Sequence, residues 1–274
     1  MKYWIITGIS SGLGKALAET VMKRKDFVIG TFRKEEQVAA FNKQFKNKGK
    51  AFLLELSDEN SIKQFVQEVK EAFSTVDVLV NNAGMGFIGA IEESSMQEIR
   101  EVFNVNFFGT LLLTKEILPL FRKQKNGHLI QISSHGGIKA FAGFGIYNAS
   151  KFALEGFSEA LAQEIAPLGI HLSIVEPGPF RTNFAGIKLG EAQHQIADYA
   201  ATAGIFRKKL KEVHGMQEGD PLKAANAIIQ LSSMAEPLLR MPLGKVALVT
   251  IPMKLESVRQ DLEKSRWIAE KAIF

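Results

Sequence analysis

Short apolar runs alternate with helix-period segments along most of the chain. The runs are apolar on both faces and bounded by Gly, Asn, Asp or Ser, which predicts buried strands at 3–7, 27–31, 51–55, 76–80, 128–133 and 170–175. Between them, apolar residues recur every three or four positions, as on one face of a helix. Such stripes comprise Leu13 to Val21, Ile62 to Phe73 behind the predicted N-cap Ser61, and Ile99 to Phe107.

This alternation predicts an α/β fold with a doubly wound parallel sheet, because a parallel crossover needs a connection of helix length. From about 184 to 240 the alternation lapses into helical segments, and the run LGKVALVTI at 243–251 predicts a last strand. The sequence shows no repeat or linker, so we predict a single domain, 1–274. Its parts are a core (1–184), a helical substrate flap (185–240), and the last strand with a C-terminal tail (241–274).

Composition and charge narrow the class of protein. The 274 residues include no cysteine, which excludes disulfides and thiolate chemistry. The net charge is +5, but the densest basic cluster, 206–212, alternates with apolar residues and is typical of a solvated helix face rather than a nucleic-acid patch. The N-terminal apolar run is too short for a secretory signal, and no run approaches the roughly 20 residues that span a bilayer. We therefore expect a cytoplasmic protein without nucleic-acid or membrane partners.

A glycine-rich loop, TGISSGLG at 7–14, follows the first predicted strand and precedes a helix. Glycines at Gly8, Gly12 and Gly14 allow positive φ and let backbone N–H groups approach a pyrophosphate at the helix N-terminus. A tight strand-to-helix turn is the structural alternative. The position between strand and helix favours a dinucleotide site.

The end of the second strand indicates which nicotinamide cofactor is used. An NAD site usually has Asp or Glu there to bind the ribose 2′-hydroxyl. This chain has GTFRK at 30–34, where Arg33 suits a 2′-phosphate and a carboxylate would repel one. Ser10 and Ser11 add hydroxyl donors nearby. NADP(H) is the predicted cofactor, and a surface Arg-Lys pair is the alternative.

Tyr147 and Lys151 are four residues apart, a spacing that places both on one face of a helix. An ammonium near a phenol favours the phenolate, which exchanges a proton with an alcohol or carbonyl oxygen while hydride moves. A half-buried Tyr beside a snorkelling Lys is the alternative. Ser134 follows the fifth strand, where its hydroxyl is placed either to bind the substrate oxygen or to cap a turn.

Together these motifs resemble the short-chain dehydrogenase/reductase family, in its TGxxxGxG/YxxxK subgroup, over about 2–184. NNAG at 81–84, Asn106, and Pro177-Gly178 with Thr182 also match the family pattern. The resemblance implies a Rossmann-type sheet of about seven strands in the order 3-2-1-4-5-6-7. The cofactor-binding residues that it implies are Gly8, Ser10, Ser11, Gly12, Leu13, Gly14, Arg33, Leu56, Asn82, Ala83, Gly84, Tyr147, Lys151, Pro177, Gly178 and Thr182.

The resemblance also implies an NADP(H)-dependent reaction between a carbonyl and an alcohol. Tyr147 would be the acid/base, and Lys151 would lower its pKa and bind the nicotinamide ribose. Ser134 would polarise the carbonyl, and Asn106 would support a proton-relay water. Family members of this type use no metal. One departure is Glu55, which stands where the family more often has an Asp that meets the adenine.

Apolar residues in the loops expected near the site favour a hydrophobic substrate: Met85, Phe87, Phe141, Phe144, Phe184 and Ile187. Packing of the flap against the core is the alternative use of these side chains. A non-catalytic NADP(H)-binding sensor or scaffold is the alternative function. A nucleotide-sugar epimerase would show GxxGxxG, which this chain lacks. Apolar residues on more than one face of helices 99–118 and 152–166 suggest a homodimer or homotetramer.

Overall fold

The computed structural model describes residues 1–186 and 189–274. Along these residues the strands are β1 (Tyr3–Ile6), β2 (Phe27–Phe32), β3 (Gly49–Leu53), β4 (Val78–Asn81), β5 (Gly86–Ile88), β6 (Gly127–Ile132), β7 (Ile170–Pro177), β8 (Leu189–Glu191) and β9 (Arg240–Leu243). The α-helices are α1 (Gly12–Lys23), α2 (Glu35–Gln44), α3 (Glu59–Ala72), α4 (Met96–Phe103), α5 (Thr110–Gln124), α6 (Gly145–Ile165), α7 (Ile205–Glu212), α8 (Pro221–Ser232) and α9 (Lys245–Ala269).

The main sheet has seven strands in the order β3-β2-β1-β4-β6-β7-β9, and all its pairs are parallel. Once β5 and β8, which form a separate pair, are set aside, this is the predicted order, so the fold prediction is confirmed. The chain leaves β1 towards β2 on one side and returns to β4 on the other. Such a reversal opens a crevice beyond the carboxyl ends of the strands.

Helices cover both faces of this sheet, which explains why its strands are continuously apolar. On one face, Leu17 and Val21 of α1 pack with Ile228 of α8. On the other face, Phe65 of α3 packs in the same cluster as Phe121 of α5. All five side chains are almost completely buried, and each stabilises the fold by roughly 1.5–3 kcal/mol.

The predicted strand at 243–251 is wrong. β9 ends at Leu243, Gly244 adopts φ 89°, and α9 begins at Lys245. A continuous apolar run fits a buried strand or a buried helix equally well, and the burial pattern resolves the choice. Ala247 and Ile251 are buried while Leu248 between them is exposed, which is a helical period.

Two further helix predictions need correction. Asp58, not Ser61, caps α3 by accepting a hydrogen bond from the Asn60 N–H at 2.9 Å. The Ser61 hydroxyl accepts one from the Glu55 N–H at 2.9 Å instead. The helix expected around 99–107 is interrupted by a π-helical turn, Asn104–Gly109.

The predicted flap, 185–240, contains elements of different kinds. β8 pairs with β5 in a small parallel sheet. Phe206 of α7 contacts Phe141 and Phe144 in the segment before α6, and Ile228 of α8 packs into the core. The prediction of a solvated face at 206–212 is wrong for Arg207, which is buried, and right for the exposed Lys208. Within the described residues, no helix is long and apolar enough to cross a membrane.

Candidate active site

The glycine loop between β1 and α1 lies at the carboxyl edge of the sheet. Gly8 and Gly12 have φ angles of 71° and 61°, which side-chain-bearing residues rarely adopt. A Cβ on Gly14 would collide with the side chain of Asn82 and lie 2.6 Å from the Gly8 carbonyl oxygen. The first turn of α1 carries no acidic residue, so its N–H groups are suited to an anion. Ser11 is the N-cap residue, and Ser10 and Leu13 lie beside it.

The NNAG segment fastens this loop to β4. The Thr7 hydroxyl accepts hydrogen bonds from the N–H groups of Asn82 and Ala83, each at 2.9 Å. The Asn82 amide donates back to the Thr7 carbonyl at 2.8 Å. Asn81 is buried and donates to Thr114 at 3.0 Å. The NNAG segment therefore holds the glycine loop in place through Thr7.

The end of β2 presents an unneutralised cation. Arg33 is exposed and forms no ion pair with a described residue, whereas Lys34 lies 3.6 Å from Glu36. At the end of β3, Glu55 turns its carboxylate back to accept from the Ser57 hydroxyl at 2.9 Å. Leu56 is buried, and its carbonyl approaches Gly109 so closely that a Cβ there would overlap it.

Tyr147 and Lys151 lie in the first half of α6, and both are buried. The Lys151 ammonium donates to the Ile132 carbonyl at 2.9 Å and lies 6.0 Å from the centre of the Tyr147 ring. Burial raises the pKa of Tyr147 to about 12, and the Ser134 hydroxyl offsets part of this rise. Burial lowers the pKa of Lys151 to about 8, and Glu155 opposes that shift. The pKa of Tyr147 is therefore raised overall, whereas a nearby ammonium alone would lower it.

Ser134 lies beside the Tyr147 ring, across Gly136. A Cβ on Gly136 would lie 3.2 Å from the Ser134 hydroxyl oxygen and 3.6 Å from Tyr147 Cε1. The Ser134 hydroxyl accepts from the Gly136 N–H at 2.9 Å, so it also caps the turn. Asn148 was not predicted as a site residue; its amide donates to the Gly136 carbonyl at 2.8 Å and accepts from the Phe141 N–H at 3.0 Å. An amide directly after Tyr147 was the available signal.

Asn106 lies in the π-helical turn, a distortion that is frequent at functional sites. Its amide accepts from the Met85 N–H at 2.9 Å and donates to the Met85 carbonyl at 2.9 Å and to Ser150 at 3.1 Å. Ser150 in turn donates to the Tyr147 carbonyl at 2.7 Å. A Cβ on Gly84 would lie 3.2 Å from Asn106 Oδ1 and 3.7 Å from Lys151 Nζ. Asn106 therefore joins the loop after β4 to the helix that carries Lys151.

The segment that begins with Pro177-Gly178 lies against the glycine loop on the side away from Ala83. β7 ends at Pro177, and the Gly178 N–H donates to the Leu243 carbonyl at 2.9 Å. Thr182 lies across from Gly12, whose added Cβ would be 3.3 Å from the Thr182 Cβ. The structure thus brings these sequence-predicted residues to one edge of the sheet.

Aromatic rings surround Tyr147. Its ring centre lies 4.6 Å from that of Phe144 and 5.5 Å from that of Phe184. Phe206 of α7 contacts Phe144 at 5.3 Å and stacks on Phe141 at 6.2 Å, so the flap contributes to this apolar wall.

The sequence also predicts Phe87 and Ile187 near the site, and His135 is next to Ser134 in the chain. Phe87 is buried in a small cluster of its own with Val102, and Ile187 lies outside the described residues. His135 lies 3.1 Å from the Thr250 hydroxyl, and burial, together with Lys139, lowers its pKa. No group of three His, Cys, Asp or Glu side chains among residues 1–186 and 189–274 has the arrangement of a metal site.

Comparisons with known proteins identify the family. Residues 2–191 match the family model described as short chain dehydrogenase. Oxidoreductase BOA17 from Botryotinia fuckeliana is 37% identical over 266 residues, 97% of either chain. The 3-ketodihydrosphingosine reductase of Bacteroides thetaiotaomicron is 37% identical over 250 residues, 89% of this chain and 88% of the relative. A solved short-chain dehydrogenase from Streptomyces avermitilis superimposes with a TM-score of 0.92 at 38% identity over the full length of both chains.

The chain therefore belongs to the short-chain dehydrogenase family. It is an oxidoreductase with the NAD(P)-binding Rossmann fold of that family.

Proposed function

We propose that this protein transfers hydride between NADP(H) and the carbonyl or secondary-alcohol carbon of a hydrophobic compound. The observation that carries the proposal is the buried Tyr147 hydroxyl, which lies beside Ser134 and Lys151 inside a wall of aromatic rings. A proton donor, a hydroxyl that orients the substrate oxygen and an apolar surface are the parts that carbonyl reduction needs.

The glycine loop fits a dinucleotide. Its two left-handed glycines and the N-terminus of α1, whose first turn carries no acidic residue, form a cradle for a pyrophosphate. Arg33 would bind the 2′-phosphate, and Thr182 and Lys151 would hold the nicotinamide half. When bound, the nicotinamide supplies or accepts the hydride. The chain's own residues bind and orient it, exclude water and move the proton.

The proton comes from Tyr147. With its pKa raised to about 12, the side chain is a neutral phenol at pH 7 and donates a proton to the substrate oxygen as hydride arrives. Lys151, with a pKa of about 8, is mostly protonated at that pH and stabilises the resulting phenolate. Oxidation of an alcohol would start from the phenolate, which burial disfavours. Reduction is therefore the proposed direction.

The substrate is a hydrophobic ketone or aldehyde. Phe144, Phe184 and Phe206 make the surface around Tyr147 apolar, and the Lys151 ammonium beside it already donates to the Ile132 carbonyl. The relative named 3-ketodihydrosphingosine reductase reduces a ketone. We place the reaction in the cytoplasm, with a small molecule as substrate and no nucleic acid or membrane as partner.

The experiment that tests this function is a turnover screen of hydrophobic ketones, aldehydes, quinones and steroids with NADPH and, in parallel, NADH. We expect oxidation of NADPH by at least one apolar carbonyl compound. We also expect Arg33→Ala to lower kcat/KM for NADPH by about 10- to 100-fold, the effect of one lost charge-assisted contact, and to leave the value for NADH unchanged.

Lys34→Ala is the matched control, because Lys34 is the next residue and already has a carboxylate partner. A preference of the unmodified protein for NADH would contradict the assignment of Arg33. Turnover of charged carbonyl compounds alone would contradict the apolar substrate.

We also propose that the protein forms a homodimer or homotetramer through the helices predicted for this role. Phe108, in the π-helical turn before α5, is 55% exposed, and Phe152 of α6 is 42% exposed. Phe108→Glu is expected to shift the mass measured by light scattering at micromolar concentration towards the monomer, since a charge would be buried in the interface. Leu262→Glu on α9, 66% exposed in the structure, is the control. Dissociation by that variant alone would place the interface on α9 instead.

A further inference from the structure

His135 stands in the chain between two residues that lie against Tyr147. Ser134, whose hydroxyl interacts with the Tyr147 hydroxyl, precedes it. Gly136 follows it, and a Cβ added there would lie 3.6 Å from Tyr147 Cε1. The His135 carbonyl accepts from the Lys139 N–H at 3.0 Å, which fixes the backbone of this turn. His135 is therefore held beside the proposed acid, although the proposed reaction gives its side chain no part.

The His135 ring belongs to the same row of rings as Tyr147. Its centre lies 5.1 Å from that of Phe141, which stacks on Phe206 at 6.2 Å. Phe206 contacts Phe144 at 5.3 Å, and Phe144 contacts Tyr147 at 4.6 Å. Among these five rings, only those of His135 and Tyr147 carry hydrogen-bonding atoms. The row therefore presents an apolar surface with one polar group at each end.

The contacts of the imidazole fix which of its nitrogens carries the proton. Nδ1 of His135 lies 3.1 Å from the Thr250 hydroxyl oxygen, and that hydroxyl donates to the Val246 carbonyl at 2.8 Å. A hydroxyl has one proton, so both contacts are hydrogen bonds only if Nδ1–H donates to Thr250. Burial, together with Lys139, lowers the pKa of His135. The ring is therefore neutral at neutral pH, and Nε2 keeps its lone pair.

Nε2 of His135 is the unused nitrogen of this imidazole. It lies on the far side of the ring from Nδ1 and so points away from α9, and no described residue makes a hydrogen bond with it. Fastening the turn to α9 needs Nδ1 alone. The side chain is partly buried, and a substrate on the apolar surface would remove Nε2 further from water. Such an acceptor calls for a donor on the substrate, because polar atoms removed from water are almost always hydrogen-bonded.

We propose that His135 is a specificity-determining residue whose Nε2 accepts a hydrogen bond from a hydroxyl or N–H group of the substrate. Consecutive Cα atoms are about 3.8 Å apart, so a donor that reaches His135 lies only a few atoms from a carbonyl held by Ser134. The substrate class is then an apolar ketone or aldehyde with a hydroxyl or N–H group close to the reacting carbon. The inference rests on the proposed function for the carbonyl, but not for the acceptor itself.

The first experiment compares two ketones of nearly the same shape. α-Hydroxyacetophenone carries a hydroxyl where propiophenone carries a methyl group. His135→Phe keeps a ring against Phe141 and removes both nitrogens. We expect it to lower the ratio of the two kcat/KM values, hydroxyl over methyl, by about tenfold, the contribution of one hydrogen bond. The ratio carries the test, because the hydroxyl alters the reactivity of the carbonyl equally in every variant.

His135→Asn separates the roles of the two nitrogens. Its amide replaces Nδ1 as the donor to Thr250 but has no atom at the position of Nε2. We expect it to lose the preference as His135→Phe does, while its unfolding temperature stays close to that of the unmodified protein. His171→Asn, exposed near the amino end of β7, is the control and should keep the ratio. A ratio that survives in His135→Asn would overturn the inference, because the contact with Thr250 would then account for the whole effect.

Nitrogen NMR of protein with isotope-labelled histidine tests the acceptor without turnover. The resonances of His135 are assigned by their loss in His135→Asn. We expect Nδ1 to be protonated and Nε2 unprotonated near neutral pH. In Tyr147→Phe with bound NADPH, α-hydroxyacetophenone should shift the Nε2 resonance and propiophenone should not. A proton on Nε2 in the free protein, or equal shifts with both ketones, would contradict the proposal.

The acceptor and the proposed reaction can fail separately. A selective shift of the Nε2 resonance without NADPH turnover of any carbonyl compound would leave the acceptor standing and refute the reaction. Turnover of both ketones with the same ratio in the unmodified protein and in His135→Asn would leave the reaction standing and refute the acceptor.

Discussion

Replacement of Tyr147 by Phe is expected to lower kcat for carbonyl reduction by about 10²- to 10⁴-fold, the usual contribution of a positioned acid. The substitution removes only the hydroxyl. The ring remains between Phe144 and Phe184, which lie 4.6 Å and 5.5 Å away, so the fold and the apolar wall are retained. Steady-state NADPH oxidation measures the loss, and NADPH fluorescence shows whether the cofactor still binds.

Tyr199→Phe provides the matched control. The Tyr199 hydroxyl donates to Glu92 at 2.6 Å on the surface of the flap, and its loss should leave turnover unchanged. A Tyr147→Phe protein that turns over at the original rate would refute Tyr147 as the acid. If neither Tyr147→Phe nor Tyr199→Phe oxidises NADPH with any carbonyl compound while both bind it, the sensor or scaffold alternative would gain support.

Much of this site follows from local spacing and one topological rule. Tyr147 and Lys151 share a helical face because they are four residues apart, and Ser134 meets them because residues after parallel strands gather at one edge of the sheet. Sequence alone therefore predicts that these three residues approach one another. It also predicts the strand order, once the family pattern is recognised.

The features that the sequence analysis missed depend on tertiary partners or on geometry that leaves no periodic trace. The π-helical turn that contains Asn106 lies in a run whose apolar spacing, Ile99 to Phe107, is that of an ordinary helix. The run at 243–251 has the composition of a strand, and only the left-handed Gly244 and the burial of Ala247 reveal a helix. Glu155 looks like a surface glutamate until β9 brings Arg240 against it.

Arg207 is the clearest case of a tertiary partner. It stands in a run of exposed lysines, and its partner Glu93 is far away in the sequence. In the structure its Nη2 donates to Glu93 at 2.8 Å, and its Nε lies 3.0 Å from Glu191 of β8. The carboxylate of Glu93 also accepts from the N–H groups of Ala90 at 2.8 Å and Ile196 at 3.0 Å. This pair fastens α7, and with it Phe206, over the site.

Glu93→Ala is expected to lower the free energy of unfolding by about 3–5 kcal/mol, because it leaves the buried Arg207 guanidinium without its main partner. Chemical denaturation measures this change, and limited proteolysis between β8 and α7 shows whether the flap opens first. Lys208→Ala is the control on the same helix, since its exposed pair with Glu212 at 3.9 Å contributes about 0–1 kcal/mol. An equal loss in both variants would contradict a specific role for the buried pair.

The double variant Glu93→Leu/Arg207→Met separates the cost of an unpaired charge from the value of the pair. Apolar replacement of both members of a buried pair is often close to neutral, so most of the lost stability should return. The pH dependence gives an independent check. Burial raises the pKa of Glu93, but the Ile196 and Ala90 N–H groups and Arg207 outweigh it and hold that pKa below 4.5. Stability from Glu93 is then present above pH 4.5 and is lost as the pH falls through the folded-state pKa, a loss that the double variant should not show.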